Sequence, residues 1–93
     1  MRDLVRGSAL LSPVERYHES LVRLRTETAQ AVGLIEQLHG ITANLRQLVL
    51  EDKVHLESES ARKLAEIDGL SYAALVLCRT AHALSERLPA EVA

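Results

Sequence analysis

The chain has 93 residues, enough for one domain at most, and 47% of them are hydrophobic, which is too many for a disordered protein. Phe and Trp are absent and Tyr occurs twice, so a core must be built from Leu, Val, Ile and Ala, a palette that suits helix-on-helix packing. The formal net charge of -2 gives no electrostatic reason to expect a nucleic-acid partner.

Several features bear on where the protein acts. No apolar run approaches the roughly 18 residues that a membrane-spanning helix needs, and residues 1–7 lack the apolar core of a signal peptide. The single cysteine, Cys78, forms no internal disulfide, which favours a reducing compartment. Nine arginines against two lysines favour a GC-rich bacterial genome. We therefore expect a soluble, cytoplasmic bacterial protein with no membrane partner.

A clear helix start divides the chain into an N-terminal arm, residues 1–11, and a helical domain, residues 12–93. Ser12 is an N-cap residue, Pro13 occupies the first helical position and Glu15 stands three residues after the cap. This spacing is a capping box, in which the serine and glutamate side chains each accept a hydrogen bond from the other's backbone N–H. The pattern predicts a helix over about 13–50.

A heptad repeat runs the length of this predicted helix. Apolar and small residues recur at alternating steps of three and four over about five heptads, as in the contact seam of a coiled coil. The seam positions are Val14, Tyr17, Leu21, Leu24, Thr28, Ala31, Ile35, Leu38, Thr42, Leu45 and Val49.

An acidic segment, residues 51–59, interrupts the repeat and is the predicted turn. A second helix is predicted from about Ser58 or Ser60 to Leu88 (about 60–88), stopped by Pro89. Asp68-Gly69 is a turn signal that could split it, but the apolar period carries through the glycine and favours one continuous helix. Its predicted seam consists of Leu64, Ile67, Ser71, Ala74, Cys78, Ala81 and Leu88. Two long helices joined by a short turn predict an all-α fold, a long antiparallel helical hairpin.

The hairpin is expected to form a homodimer. Residues 72–78 are apolar around almost the whole helix, and a helix of that kind is covered on every side. A lone hairpin would leave Leu34, Ile41, Leu75 and Val76 without enough cover. Pairing two hairpins into a four-helix bundle would bury them, so these four residues are predicted interface residues.

Small residues form a separate strip on the first helix: Ala29, Gly33, Gly40 and Ala43. Glycine inside a helix costs about 1 kcal/mol relative to alanine, so two glycines one heptad apart call for a reason. Either a second subunit or an external partner approaches the strip closely, or the glycines are tolerated on a solvated face. We include the strip among the predicted interface residues.

Residues that could carry chemistry are few. Glu36 and His39 have the E-x-x-H spacing of di-metal carboxylate bundles, and such a protein is one alternative function. The seam position between them belongs to Leu38, however, and the second helix has no matching inward glutamate. Cys78 has apolar neighbours that favour a core thiol. We therefore expect no catalytic residue, no cofactor and no metal.

Nucleic-acid binding is the other alternative, as a small DNA-associated regulator. Arg23 and Arg25 are balanced by Glu19 and Glu27, and aromatic residues that could stack on bases are scarce. The sequence therefore favours a non-enzymatic protein-protein interaction module that presents helical surfaces to a larger protein partner. A small adaptor, a chaperone and an inhibitor from a phage or mobile element all fit this expectation.

Overall fold

The computed structural model describes residues 11–92 and contains two helices, α1 (Pro13–Leu50) and α2 (Ser58–Arg87), with no strand in that range. The two helices pack side by side in opposite directions. The predicted all-α hairpin is therefore confirmed. The predicted N-terminal arm, apart from Leu11, lies outside the described residues.

The capping box at Ser12 begins α1. Ser12 Oγ accepts a hydrogen bond of 3.1 Å from the backbone N–H of Glu15, and Glu15 Oε1 accepts one of 2.9 Å from the backbone N–H of Ser12. The bond from the Ser12 backbone N–H, and after it the Ser12 hydroxyl, hold the pKa of the Glu15 carboxyl below its ordinary value, because hydrogen bonds to the carboxylate stabilise its ionised form.

A Schellman motif ends α1 and starts the turn. Asp52 adopts the left-handed conformation, with φ of 62°, and its N–H donates to the carbonyl of Val49 at 3.1 Å. The N–H of Lys53 donates to the carbonyl of Leu48 at 2.9 Å. These two bonds satisfy carbonyls that the helix end leaves unpaired, and aspartate is one of the few residues with a side chain that tolerates this conformation.

The second helix starts at Ser58, the earlier of its two predicted starts, and continues unbroken through Gly69. Its C-terminus is held by Arg25 of α1, which donates from Nε to the carbonyl of Ser85 at 3.0 Å and from Nη2 to that of Leu88 at 2.9 Å. A guanidinium at the negative end of the helix dipole stabilises the last carbonyls of the helix, and the Ser85 carbonyl also accepts from the backbone N–H of Leu88 at 3.4 Å.

The line of contact between the helices is largely polar. Thr28 Oγ1 lies 2.8 Å from His82 Nδ1, and Thr42 Oγ1 lies 3.0 Å from Ser71 Oγ. These pairs fix the antiparallel register, since early residues of α1 meet late residues of α2. The residues that α2 turns toward α1 are Ala61, Leu64, Asp68, Ser71, Leu75, Cys78, His82 and Ser85.

The predicted seam of α2 is therefore wrong in part. Ile67 and Leu88 were expected to face α1, but both are exposed. The helix is rotated toward Asp68 and His82 instead, because there these side chains find partners across the hairpin. A polar group buried without a partner costs about 1–3 kcal/mol, which favours the rotation that pairs them.

The contact surface of α1 is rotated as well. Leu24, Leu38 and Leu45 belong to its predicted seam, yet each is more than two-fifths exposed. Arg25 and His39, each one position after a seam residue, are half-buried against α2. Thus α2 packs to one side of the heptad seam rather than over its centre.

The hairpin has a very small apolar core. Within residues 11–92, Leu21 and Leu75 are the buried apolar side chains, each 5% exposed. The expectation that a lone hairpin leaves Leu75 without cover is therefore wrong, because α1 covers it within the same chain. Three of the other buried side chains are the hydroxyl residues Thr42, Ser71 and Ser85.

Candidate functional site

One side of the hairpin carries large apolar side chains that solvent reaches. We call this surface the apolar face, and its members are 42% to 71% exposed. The apolar face consists of Leu24, Leu34, Leu38, Ile41 and Leu45 on α1, Ile67, Leu70, Leu77 and Leu84 on α2, and Leu88 directly after α2.

Helix geometry places both halves of the apolar face on the same side of the hairpin. On α1, Leu34 and Ile41 lie to one side of the buried Thr42, and His39 lies to the other. On α2, Leu70 lies to one side of the buried Ser71. Tyr72 and Arg79, which contact His39 and Glu36 of α1, lie to the other side. The charged and aromatic side chains of these two contacts therefore lie on one side of the hairpin. The two leucine-rich arcs share the opposite side.

The opposite side is the polar face, where charged and aromatic side chains bridge the helices. Arg79 Nη2 donates to Glu36 Oε2 at 2.6 Å. The rings of His39 and Tyr72 lie 5.6 Å apart between centroids. These contacts hold the two helices in one rotational setting and leave the apolar face uncovered.

A buried polar cluster lies between the two faces, at the level of Thr42. The Thr42 hydroxyl donates to Asp68 Oδ1 at 2.8 Å and accepts from the Ser71 hydroxyl at 3.0 Å, while Ser71 Oγ also lies 2.9 Å from the carbonyl oxygen of Asp68. Arg46 Nη1 lies 3.4 Å from Asp68 Oδ2 and provides a counter-charge. The groups in this cluster satisfy one another, so the cluster specifies register and leaves no polar atom directed at a ligand.

The two candidate metal ligands are engaged with other side chains. Glu36 binds Arg79, while His39 Nε2 lies 3.6 Å from Asp68 Oδ1. In the part of the chain that the structure describes, no three His, Cys, Asp or Glu side chains are grouped as a metal site requires. Cys78 is half-buried along the contact with α1.

The predicted interface residues are divided among three places. Leu34 and Ile41 lie on the apolar face, Leu75 is in the core, and Val76 is exposed on the same side as the polar face. The small-residue strip lies on the side of α1 toward the polar face, since Ala29 and Ala43 are each one heptad from Glu36; Ala29, Gly33 and Gly40 are exposed and Ala43 is half-buried. A Cβ added at either glycine would meet no atom within 4 Å, so no part of the described chain packs against them.

An apolar groove of about 180 Å³ extends the apolar face toward the turn, beside Leu45. The turn residues Val54 and Leu56 close one end of this groove. Its lining is completed by Leu48, Val49 and Leu64. The surface available for association therefore reaches from the turn to Leu24 and Leu88 at the other end of the hairpin.

Sequence reasoning placed part of the apolar face inside the hairpin. Leu24, Leu38 and Leu45 have regular heptad spacing, so they were assigned to the contact between α1 and α2. The signal against that assignment was the set of polar residues at seam positions, Thr28 and Thr42 above all. Hydroxyl groups facing a second helix require partners there, and Ser71 and His82 provide them.

In residues 11–92, no helix is long and apolar enough to cross a membrane. No protein-family profile matches the chain, and neither a curated protein nor a solved structure matches it significantly.

Proposed function

We propose that the chain is a non-enzymatic protein-protein interaction module that works as half of a four-helix bundle. Two copies bury their apolar faces against each other, and the resulting bundle presents helical surfaces to a larger protein partner. An adaptor, a chaperone and an inhibitor from a phage or mobile element all act in this way. The observation that carries the proposal is the apolar face itself, ten exposed large side chains on one side of the hairpin.

Energetics favour association through this face. Burying a large apolar side chain is worth about 1.5–3 kcal/mol, and ten such residues half covered would contribute roughly 10 kcal/mol per copy before the costs of association. That contribution is comparable to the whole stability of an ordinary domain, about 5–15 kcal/mol. Within the described range, Leu21 and Leu75 are the buried apolar side chains of the lone hairpin, and others such as Ile35 and Leu64 are only half-buried.

The polar groups of the hairpin support a binding role over a catalytic one. Between the helices, Thr42 and Asp68 are bonded to one another, while His18 Nε2 is buried with no hydrogen-bond partner among the described residues. Two grooves, one beside Leu45 and one beside Leu24, are lined mainly by apolar side chains, whereas a third and more open groove is lined by Ser20, Arg23, Leu24 and Glu27. Catalytic sites typically combine a pocket with a few convergent polar groups, and this surface instead has the character of the core of a helical bundle.

Mass measurement combined with matched charge substitutions tests the proposal. Light scattering at micromolar concentration should give twice the chain mass of 10.3 kDa for the wild-type protein. Leu34→Glu, on the apolar face, should abolish the dimer. Val22→Glu is the matched control, because Val22 is 63% exposed and Leu34 66%, and Val22 lies two heptads before Glu36, on the polar face.

A folded wild-type monomer, or equal loss of the dimer in both variants, would contradict the proposal. The partner-binding part is tested separately. Isothermal titration of a partner candidate should show binding to the intact dimer and loss of that binding in a variant that keeps the dimer mass. A partner that binds only the monomeric Leu34→Glu protein would exclude the bundle as the binding species.

A further inference from the structure

We propose that the two copies pack antiparallel, related by a two-fold axis perpendicular to the helices, so that their turns lie at opposite ends of the bundle. This arrangement rests on the proposed dimerisation through the apolar face. Face-to-face packing of two hairpins also permits a parallel arrangement, with the axis along the helices and both turns at one end. The distribution of side-chain size and charge along the apolar face separates the two.

Side-chain size varies along the apolar face in distinct layers. The contact between Thr28 and His82 places Ala31 and Ala81 at nearly the same level along the helices. Because both side chains are small, we call this level of the apolar face the thin layer. The contact between Thr42 and Ser71 places the adjacent Ile41 and Leu70 at one level, where the face is thick. The thin layer and the thick layer lie about five residues on either side of the centre of the face, near Glu36 on α1 and Leu75 on α2.

The antiparallel arrangement brings each thin layer opposite a thick one. Ala31 and Ala81 of one copy would receive Ile41 and Leu70 of the other, and the reverse would hold at the second thin layer by symmetry. A parallel arrangement would instead gather four alanines in one layer and four large side chains in another. Helical cores pack by opposing large and small residues, since both cavities and crowding destabilise them.

Charge at the edge of the face gives the same arrangement. Glu66 lies nine residues before Leu75 and Arg87 twelve residues after it, so the antiparallel dimer sets Glu66 of each copy within about one helical turn of the level of Arg87 of the other. Residues 51–68 contain six acidic and three basic residues, a net charge of -3. Antiparallel packing separates these two acidic ends, whereas parallel packing would place them side by side. Such rim charges fix orientation more than affinity.

A spin-label distance between the two turns tests the arrangement directly. Lys53, exposed in the turn, is changed to Cys in a Cys78→Ser background and labelled, and the dimer is measured by double electron-electron resonance. The rise of 1.5 Å per residue over about 15 residues on each side of the centre predicts a separation of about 45 Å. A separation under about 20 Å would overturn the antiparallel arrangement while leaving the dimer intact. Absence of an intermolecular distance with a monomeric mass would overturn dimerisation itself.

A volume swap provides an independent test. Ala31→Ile crowds the mixed layers of the antiparallel dimer and Ile41→Ala opens a cavity in them, so each single substitution should raise the dimer dissociation constant at least about tenfold. The double variant conserves the volume of each mixed layer and should dissociate within about threefold of wild type. In a parallel dimer each single substitution would tighten association independently, and that result would overturn the proposal.

Discussion

The hydrogen bonds between Ser12 and Glu15 make the start of α1 sensitive to pH. Because the pKa of Glu15 is lowered in the folded chain, its contribution to stability is fully present above the ordinary carboxyl pKa. That contribution is lost as the pH falls through the lowered value. Residue-level chemistry at a helix end is thus measurable in the stability of the whole hairpin.

We expect Ser12→Ala to lower the free energy of unfolding by about 1 kcal/mol near neutral pH, because an orphan N–H of α1 loses its acceptor. The pKa of Glu15 should rise toward its ordinary value in the same variant. Urea unfolding at several pH values and an NMR titration of Glu15 measure both effects. Ser20→Ala is the control, an exposed serine inside α1 whose replacement should not destabilise the helix. Equal loss in both variants would show that the capping box contributes nothing.

Asp52 carries the other residue-level prediction, since its φ of 62° is unfavourable for a residue with a side chain. Asp52→Gly should raise the free energy of unfolding by roughly 0.5–1 kcal/mol, the relief of strain less the added entropy of the unfolded chain. Asp52→Ala removes the carboxylate and keeps the Cβ, so it should bring no gain. If alanine stabilised as much as glycine, loss of negative charge at the turn would be the cause rather than backbone conformation.

At the scale of the elements, each helix has an apolar arc wider than the surface that its hairpin mate covers. On α1 the arc includes both Leu21, which is buried, and Leu34, which is exposed. On α2 it includes the buried Leu75 and the exposed Leu70. Two helices can cover only one side of each other, so the remainder of both arcs forms the apolar face.

Substituting the glycines of α1 with alanine tests, at the scale of the element, whether the small-residue strip lies in an interface. Both Gly33 and Gly40 have open space where a Cβ would lie, so in an isolated hairpin each Gly→Ala change should add about 1 kcal/mol to stability. Gly69 of α2 has equally open surroundings and lies outside the small-residue strip, which makes Gly69→Ala the matched control. Thermal melting and dimer dissociation are the measurements.

The results separate the two interpretations of the small-residue strip. Stabilisation by all three substitutions would mean that the strip faces solvent. Stabilisation by Gly69→Ala alone, with weaker dimers or weaker partner binding in Gly33→Ala and Gly40→Ala, would mean that the strip lies in an interface. The prediction that the strip is an interface would then stand, and the outer surface of α1 would be a second contact region.

At the scale of the whole molecule, the hairpin is thin, with Cα extents of 60 × 32 × 17 Å. One dimension spans little more than a single layer of helices. A single layer encloses little core, because most residues between two helices have an open side above or below them, and in the described range Leu21 and Leu75 are the buried apolar side chains. A second layer packed on the apolar face supplies what the single chain lacks.

The melting temperature should therefore depend on protein concentration. For a stable unit that is a dimer, a hundredfold increase in concentration adds about 2.7 kcal/mol to apparent stability, which corresponds to roughly 5–10 °C for a unit of this size. Circular dichroism melts across that concentration range check the expectation. A melting temperature that does not change with concentration would show that the hairpin is stable alone.

The sequence by itself determined the helices and most of their ends. A capping box at Ser12 and a heptad repeat up to Leu50 are local patterns, and local hydrogen bonds and side-chain spacing are enough to produce a helix from them. The stop before Pro89 is local in the same sense. The turn was harder to place, because the left-handed position is occupied by Asp52 rather than by a glycine.

Only the tertiary structure decided which side of each helix faces inward. Apolar periodicity allowed the helices to meet through Leu38 and Ile67 as readily as through neighbouring positions. Hydrogen bonds between residues of different helices decide which side faces inward. The clearest are those that Thr42 makes with Ser71 and with Asp68. Hydrogen bonds between residues nearly 30 positions apart depend on both helices at once. For that reason the spacing within either helix predicted the hairpin but not the apolar face that the hairpin leaves exposed.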